Sequence, residues 1–162
     1  RVDIALPYGY TNMWIMTFHS FCDQILHQEA LHIGLEPRFQ LMSEAESIQF
    51  IRQRIFDFEL DYFRPRGNPN KFIAAMLTHF SRLADEDVDV EKYLAYAKSL
   101  PRALESQQFA AQQTLELAQA YKTYAELKAS EGVMDFGDLI TKALELFRTR
   151  PNVLANYQKQ FR

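Results

Sequence analysis

Apolar side chains recur at helical spacing through nearly all of this 162-residue chain. That periodicity restricts it to helices that must bury one face against one another. Its five glycines and six prolines fall between the periodic stretches, as breaks. Thr17 is placed to cap a first helix whose stripe is Phe18, Phe21, Cys22, Ile25 and Leu26, with Gly34 as a left-handed stop. Asn12–Met16, an apolar run containing Trp14 and Ile15, reads as a strand entering that helix. Ser43-Glu44-Ala45-Glu46 has capping-box spacing and starts a second helix, with Ile48, Ile51, Ile55 and Phe58 on its inner side, fading near Tyr62. Asn68-Pro69 starts a third, which buries Phe72, Ile73, Met76, Leu77 and Phe80. The acidic connector Asp85–Asp89 leads to a short helix carrying Tyr93, Leu94, Ala97 and Leu100. A long one follows Pro101 and stops at Gly132, with Leu115, Ala118, Tyr121 and Ala125 on one side. Asp135 caps the next, and Pro151 opens the last. The expectation is a mainly α, compact bundle of about seven helices with at most one or two short strands. Connections are short, no fixed-period repeat occurs, and no internal domain boundary is visible over 1–162.

Composition excludes several classes. A hydrophobic share of 48% is enough for a real core at this length. A net charge of -3 is incompatible with a polybasic protein that coats nucleic acid or anionic membrane indiscriminately. The single cysteine, Cys22, permits neither an internal disulfide nor a cysteine-based zinc site and points to a reducing compartment. No apolar run approaches the roughly 20 residues a membrane span needs, and no signal-peptide pattern is present. The chain opens on Arg1 and closes on Gln158–Arg162 without a helix stop, so it reads as a segment of a longer polypeptide.

Several chemistries lack their residues. A phosphate-binding loop needs G-x-x-x-x-G-K-[ST], and none of Gly9, Gly34, Gly67, Gly132 or Gly137 precedes a Lys-Ser or Lys-Thr pair. No apolar strand ends in paired acids that would hold magnesium. Glu29 and His32 have the Glu-x-x-His spacing of di-iron bundles, but only one copy exists, and a solvated helix face accounts for it. Cys22 and His19 lie three residues apart, yet Cys22 falls in the apolar stripe, as a buried structural thiol does. No catalytic residue and no metal ligand is expected.

Two stretches combine groups suited to nucleic acid. At Met16–Phe21, the unpaired amides of a helix start can hold a phosphate. Thr17, His19 and Ser20 add donors there, beside the Phe18 ring on which a base could stack. The alternative is an ordinary cap. Tyr62–Phe72 holds Arg64, Arg66 and Lys71, no acid and three aromatic rings, and runs through Asn68 into another helix start. Guanidinium planes and rings suit sugar-phosphate backbones and exposed bases, and Gly67 permits close approach. The alternative is a solvated loop pinned by its aromatics. His79–Arg82 and the acid-free end from Arg148 offer further positive charge. The acidic run at Asp87 is expected to face away from phosphate.

Trp14-Ile15-Met16-Thr17-Phe18-His19-Ser20-Phe21-Cys22 resembles the T-F-H-x-[FL] motif of UvrD/Rep/PcrA-type superfamily 1 DNA helicases. Gly132–Ile140, reading GVMDFGDLI, resembles that family's G-[LV]-[LVM]-D-F-x-[DE]-L element. Residues 151–161 resemble the helix before its magnesium-binding acidic strand. The order and spacing suit the helical 1B subdomain inserted in the first RecA-like motor domain. The resemblance implies a DNA-contacting piece of an ATP-dependent, 3′-to-5′ DNA helicase of the cytoplasm and nucleoid. Its partners would be single-stranded DNA, the single-strand/duplex junction and the motor domains of the same chain. No cofactor is expected within these residues; ATP and magnesium would be held by the parent. Thr17, Phe18 and His19 would lie beside the strand. Arg64, Arg66, Asn68 and Lys71 rest on charge and aromatic content. The competing expectation is a helical protein-interaction module that binds no nucleic acid.

Overall fold

A computed structural model describes residues 14–64 and 67–161. Among them are seven α-helices, two single 3-10 turns and one two-stranded parallel ladder. In chain order these are α1 (Phe18–Glu29), a 3-10 turn (Ala30–Ile33), β1 (Gln40–Leu41), α2 (Glu44–Gln53), a second 3-10 turn (Ile55–Asp57), α3 (Pro69–Asp85), α4 (Val90–Ser99), α5 (Glu105–Glu131), β2 (Val133–Met134), α6 (Phe136–Thr149) and α7 (Pro151–Gln160). No helix among the described residues is long and apolar enough to cross a membrane.

The expected caps are present. Thr17, Ser43, Asn68 and Asp135 each accept an amide of the first turn through the side chain, and Ser43 with Glu46 completes a capping box. These bonds satisfy donors that the helix itself cannot. Gly34 and Gly132 end their helical segments at φ +70 and +64, where a side chain would be strained.

Three expectations are corrected. Residues 14–17 carry no regular secondary structure, and Asn12 and Met13 of the expected strand lie outside the described residues. The strands are instead Gln40–Leu41 and Val133–Met134, each too short for its alternation to be read from sequence. α2 ends at Gln53 rather than near Tyr62, because Ile55 and Phe58 turn inward through the 3-10 turn, whose three-residue repeat serves an i, i+3 stripe as an α-helix would. Gly137 does not separate elements but sits inside the first turn of α6. A Cβ there would lie 3.0 Å from the Ala84 Cβ, so glycine lets α3 and α6 approach closely.

Buried side chains form two regions. One is built from α2 to α5, where Phe50, Ile51, Ile73, Met76, Phe80 and Tyr124 pack together and Tyr93, Ala97 and Ala118 join α4 to α5. The other is built from α1, α6 and α7, around Leu26, Leu139, Ile25 and Leu146. Each fully buried aliphatic side chain contributes about 1.5–3 kcal/mol through removal from water. α5 serves both α3 and α4, so its apolar residues spread over two faces; the Leu115–Ala125 side was legible, and the Ala120/Tyr124 side was not.

The ladder is the seam between the regions. Gln40 pairs with Val133 and Leu41 with Met134. Successive strand residues point to opposite faces. Val133 therefore packs into the α2–α5 core and Met134 into the α1/α6/α7 core, while Leu41 and Met42 divide the same way.

Candidate nucleic-acid interface

At the start of α1, the Thr17 hydroxyl accepts the Ser20 amide at 3.2 Å and lies 2.9 Å from the Ser20 hydroxyl. This fixes the first turn. Phe18 is 67% exposed, an orientation that costs free energy in water and leaves a ring face available to a partner. His19 is half-buried, with its ring edge-on to Phe136 at 5.7 Å between centroids. Phe136 is 47% exposed, although helical spacing with Leu139, Ala143 and Leu146 would count it as a core ring. As the first residue of α6 it precedes the buried stripe, which begins at Leu139. Ile15 and Met16 extend this exposed apolar surface.

The acids of the GVMDFGDLI element are consumed internally. The Lys128 ammonium lies 2.8 Å from the Asp135 carboxylate and 2.5 Å from that of Asp138, and 4.4 Å from the centre of the Tyr124 ring. Asp135 and Asp138 also accept each other's amides. Burial works against ionisation of Asp135, but the Lys128 charge and hydrogen bond prevail and hold it below the ordinary carboxylate range. The arrangement locks α5 to the start of α6 and so fixes Phe136 beside His19.

The second stretch is anchored by a residue that charge and aromatic content did not identify. Glu116 of α5 is 7% exposed, and its carboxylate accepts the amides of Asp61, Tyr62 and Phe63 at 2.9, 3.0 and 3.0 Å. Tyr62 also donates its hydroxyl to Gln112 and stands edge-on to Phe109 at 4.8 Å, while Phe63 stacks on Phe72 at 6.2 Å. The loop is therefore pinned by aromatics, as one reading held, and more strongly by a buried carboxylate. The signal for Glu116 lies in its spacing: it stands four and eight residues before Ala120 and Tyr124, on the buried side of α5.

Beyond this clamp Arg64 is exposed, Asn68 caps α3 by accepting the Asn70 amide at 3.0 Å, and Lys71 is exposed in the first turn. Arg66 lies outside the described residues. The α1 start and the α3 start belong to different regions of the molecule, and α1 packs on α6 rather than on α2 or α3.

Of the other candidate groups, Arg148, Arg150 and His79 are engaged within the molecule, while Arg82 is exposed. Arg148 forms a two-pronged pair with Asp87 at 3.0 and 2.8 Å, which holds the Asp87 carboxyl below its usual range. Arg150 donates to the His32 carbonyl. His79 Nε2 lies 2.8 Å from the Tyr93 hydroxyl; burial, with help from Arg82, lowers its pKa and favours the neutral ring, a poor phosphate ligand. Glu29 and His32 pair with each other at 3.3 Å, and no group of three or more metal-ligating side chains occurs among the described residues. Cys22 is buried, and burial pushes its thiol pKa up, as expected of a structural cysteine.

Residues 3–162 match the family model of the UvrD/REP helicase N-terminal domain. The chain is similar to the ATP-dependent DNA helicase PcrA of Leuconostoc citreum, at 31% identity over 153 residues, covering 93% of this chain and 18% of that protein. It is 26% identical over 162 residues to the PcrA of Bacillus subtilis (strain 168), covering 99% of this chain and 19% of the relative. Against DNA helicase II of Haemophilus influenzae the identity is 24% over 151 residues, covering 92% and 18%. It thus spans about a fifth of the length of these relatives. The chain belongs to the UvrD/REP helicase N-terminal domain family.

Proposed function

We propose that this chain is a DNA-contacting, 1B-like module of an ATP-dependent 3′-to-5′ DNA helicase, working in the cytoplasm on nucleoid DNA. The observation that carries the reading is the fixed helix start at Thr17, which presents the exposed Phe18 ring and His19 from a rigid cap. The pinned loop before α3 supplies Arg64, Asn68 and Lys71 as a second contact. Single-stranded DNA and its junction with duplex are the ligands, and the motor domains of the same polypeptide are the protein partners. Trp14 and Phe161 meet at 5.2 Å between ring centroids, which ties the residues before α1 to the end of α7.

ATP and magnesium do not fit the residues present. The sequence holds no phosphate loop, and the described residues gather no metal-ligand cluster. On this reading both belong to other parts of the proposed longer helicase, and no catalytic step is assigned to these residues. Its part in unwinding is to hold and guide the strand.

Titration of labelled single-stranded DNA at increasing salt tests the reading. Each phosphate contact should contribute about -0.7 to the slope of log affinity against log salt. Arg64→Ala together with Lys71→Ala should make that slope shallower by about 1.4, the sum of two contacts. An absence of saturable, salt-sensitive binding by the wild type would favour the protein-interaction reading instead.

A further inference from the structure

The most exposed large apolar side chain among the described residues is Phe56, at 92%. It stands in the 3-10 turn between α2 and the Arg64 loop. Its neighbours Ile55 and Phe58 turn inward onto the α2–α5 core, Phe58 to 4% exposure. The turn therefore holds the Phe56 ring out in water.

Both flanks of the turn are fixed. On one side Arg54 pairs with Glu131, lies 4.1 Å from the centre of the Phe50 ring, and accepts the Asp57 amide at its carbonyl. On the other, Glu116 clamps the amides of Asp61, Tyr62 and Phe63. Between them lies a groove of about 720 Å³ lined by Phe56, Glu59, Asp61, Arg64, Gly67 and Pro69, among others. A side chain at Gly67 would meet nothing within 4 Å, so this wall is open to solvent.

We propose that this groove is a nucleobase subsite for single-stranded DNA, with Phe56 as the stacking face and Arg64 as the phosphate contact at its rim. The inference rests on the DNA-binding reading and adds a residue and a ligand form to it. The chemistry of the lining separates base from phosphate. Glu59 and Asp61 repel a phosphate from the groove itself, whereas their oxygens can accept from the amino groups of cytosine or adenine. Arg64 is the cation that lines it among the described residues, and it suits the adjoining backbone. A ring face in water is matched by an unpaired base, because duplex bases already stack on each other.

The test uses the full 162-residue chain and a fluorescein-labelled oligodeoxycytidine, with anisotropy titrations over a range of salt. Because Phe56 packs on so little, Phe56→Ala should leave the circular dichroism spectrum and melting temperature unchanged. It should weaken binding between about fivefold and a hundredfold, the range of one base stack. The salt slope should stay as in the wild type, since stacking releases no counterions. Phe56→Trp should retain affinity. Arg64→Ala should behave in the opposite way, with a slope shallower by about 0.7. If Phe56→Ala binds as the wild type does while Arg64→Ala still loses slope, the subsite is overturned and the DNA-binding reading stands. If Phe56→Ala alters only the sedimentation of the chain, Phe56 serves contact between copies and the subsite is again overturned. If the wild type shows no salt-sensitive binding, the underlying reading falls first.

Discussion

Lys128 is a buried cation between two carboxylates, and its worth lies in what its removal would leave behind. Lys128→Met keeps an unbranched side chain in place but removes the ammonium from above Tyr124 and from between Asp135 and Asp138. Chemical denaturation should show a loss of about 3–5 kcal/mol, the cost of breaking a buried pair from one side. Lys128→Met combined with Asp135→Asn and Asp138→Asn should recover part of it. His79 gives a pH signature. Its folded-state pKa lies below the ordinary value of 6.5, so the unfolded chain binds the proton more readily. The stability it contributes is therefore complete above pH 6.5 and is lost as pH falls from there through the lower folded value. In denaturation curves between pH 7 and 5, His79→Gln should show a smaller acid-side loss than the wild type, about the share due to this one site.

Among the elements, the loop from Asp61 to Phe63 owes its shape to Glu116. Glu116→Gln leaves one carbonyl oxygen where two carboxylate oxygens accepted three amides, so at least one donor is left in a poor bond. A stability loss of about 1–3 kcal/mol is expected, together with faster hydrogen exchange at the amides of residues 61–63. Helix starts were the most legible elements, because a cap is a local contract between a side chain and amides within the next turn; Thr17, Ser43, Asn68 and Asp135 all fulfil it. What could not be read locally depends on distant residues. Glu116 is tied to backbone more than fifty positions away. β1 and β2 exist only through each other, and Phe136 follows a helical period yet stands before the point where α6 meets its neighbours. At the candidate interface, sequence located Thr17, Phe18, Asn68 and Lys71 at the helix starts where the structure has them. The exposure of Phe56 was not legible there, because exposure at a turn leaves no periodic trace.

At the scale of the whole molecule, two cores are joined by the β1–β2 ladder, the Lys128 lock and the close α3–α6 contact at Gly137. Together these should make thermal unfolding a single transition. Gly137→Val would drive a branched side chain against Ala84 and push α3 and α6 apart. Trp14, the chain's only tryptophan, packs with the α1/α6/α7 core. In Gly137→Val its fluorescence should therefore change at a lower temperature than most of the far-ultraviolet dichroism of the whole chain, to which α2–α5 contribute the larger share of helical residues, whereas the wild type should show both changes together. The ladder also imposes an order on synthesis. α1 leaves the ribosome long before α6, its main packing partner, exists, and β1 must wait for β2. The helices between them form a continuous stretch with a core of their own, so they can collapse first and carry the two strands into register. The later half of the molecule is then assembled on a template that the middle of the chain has already built.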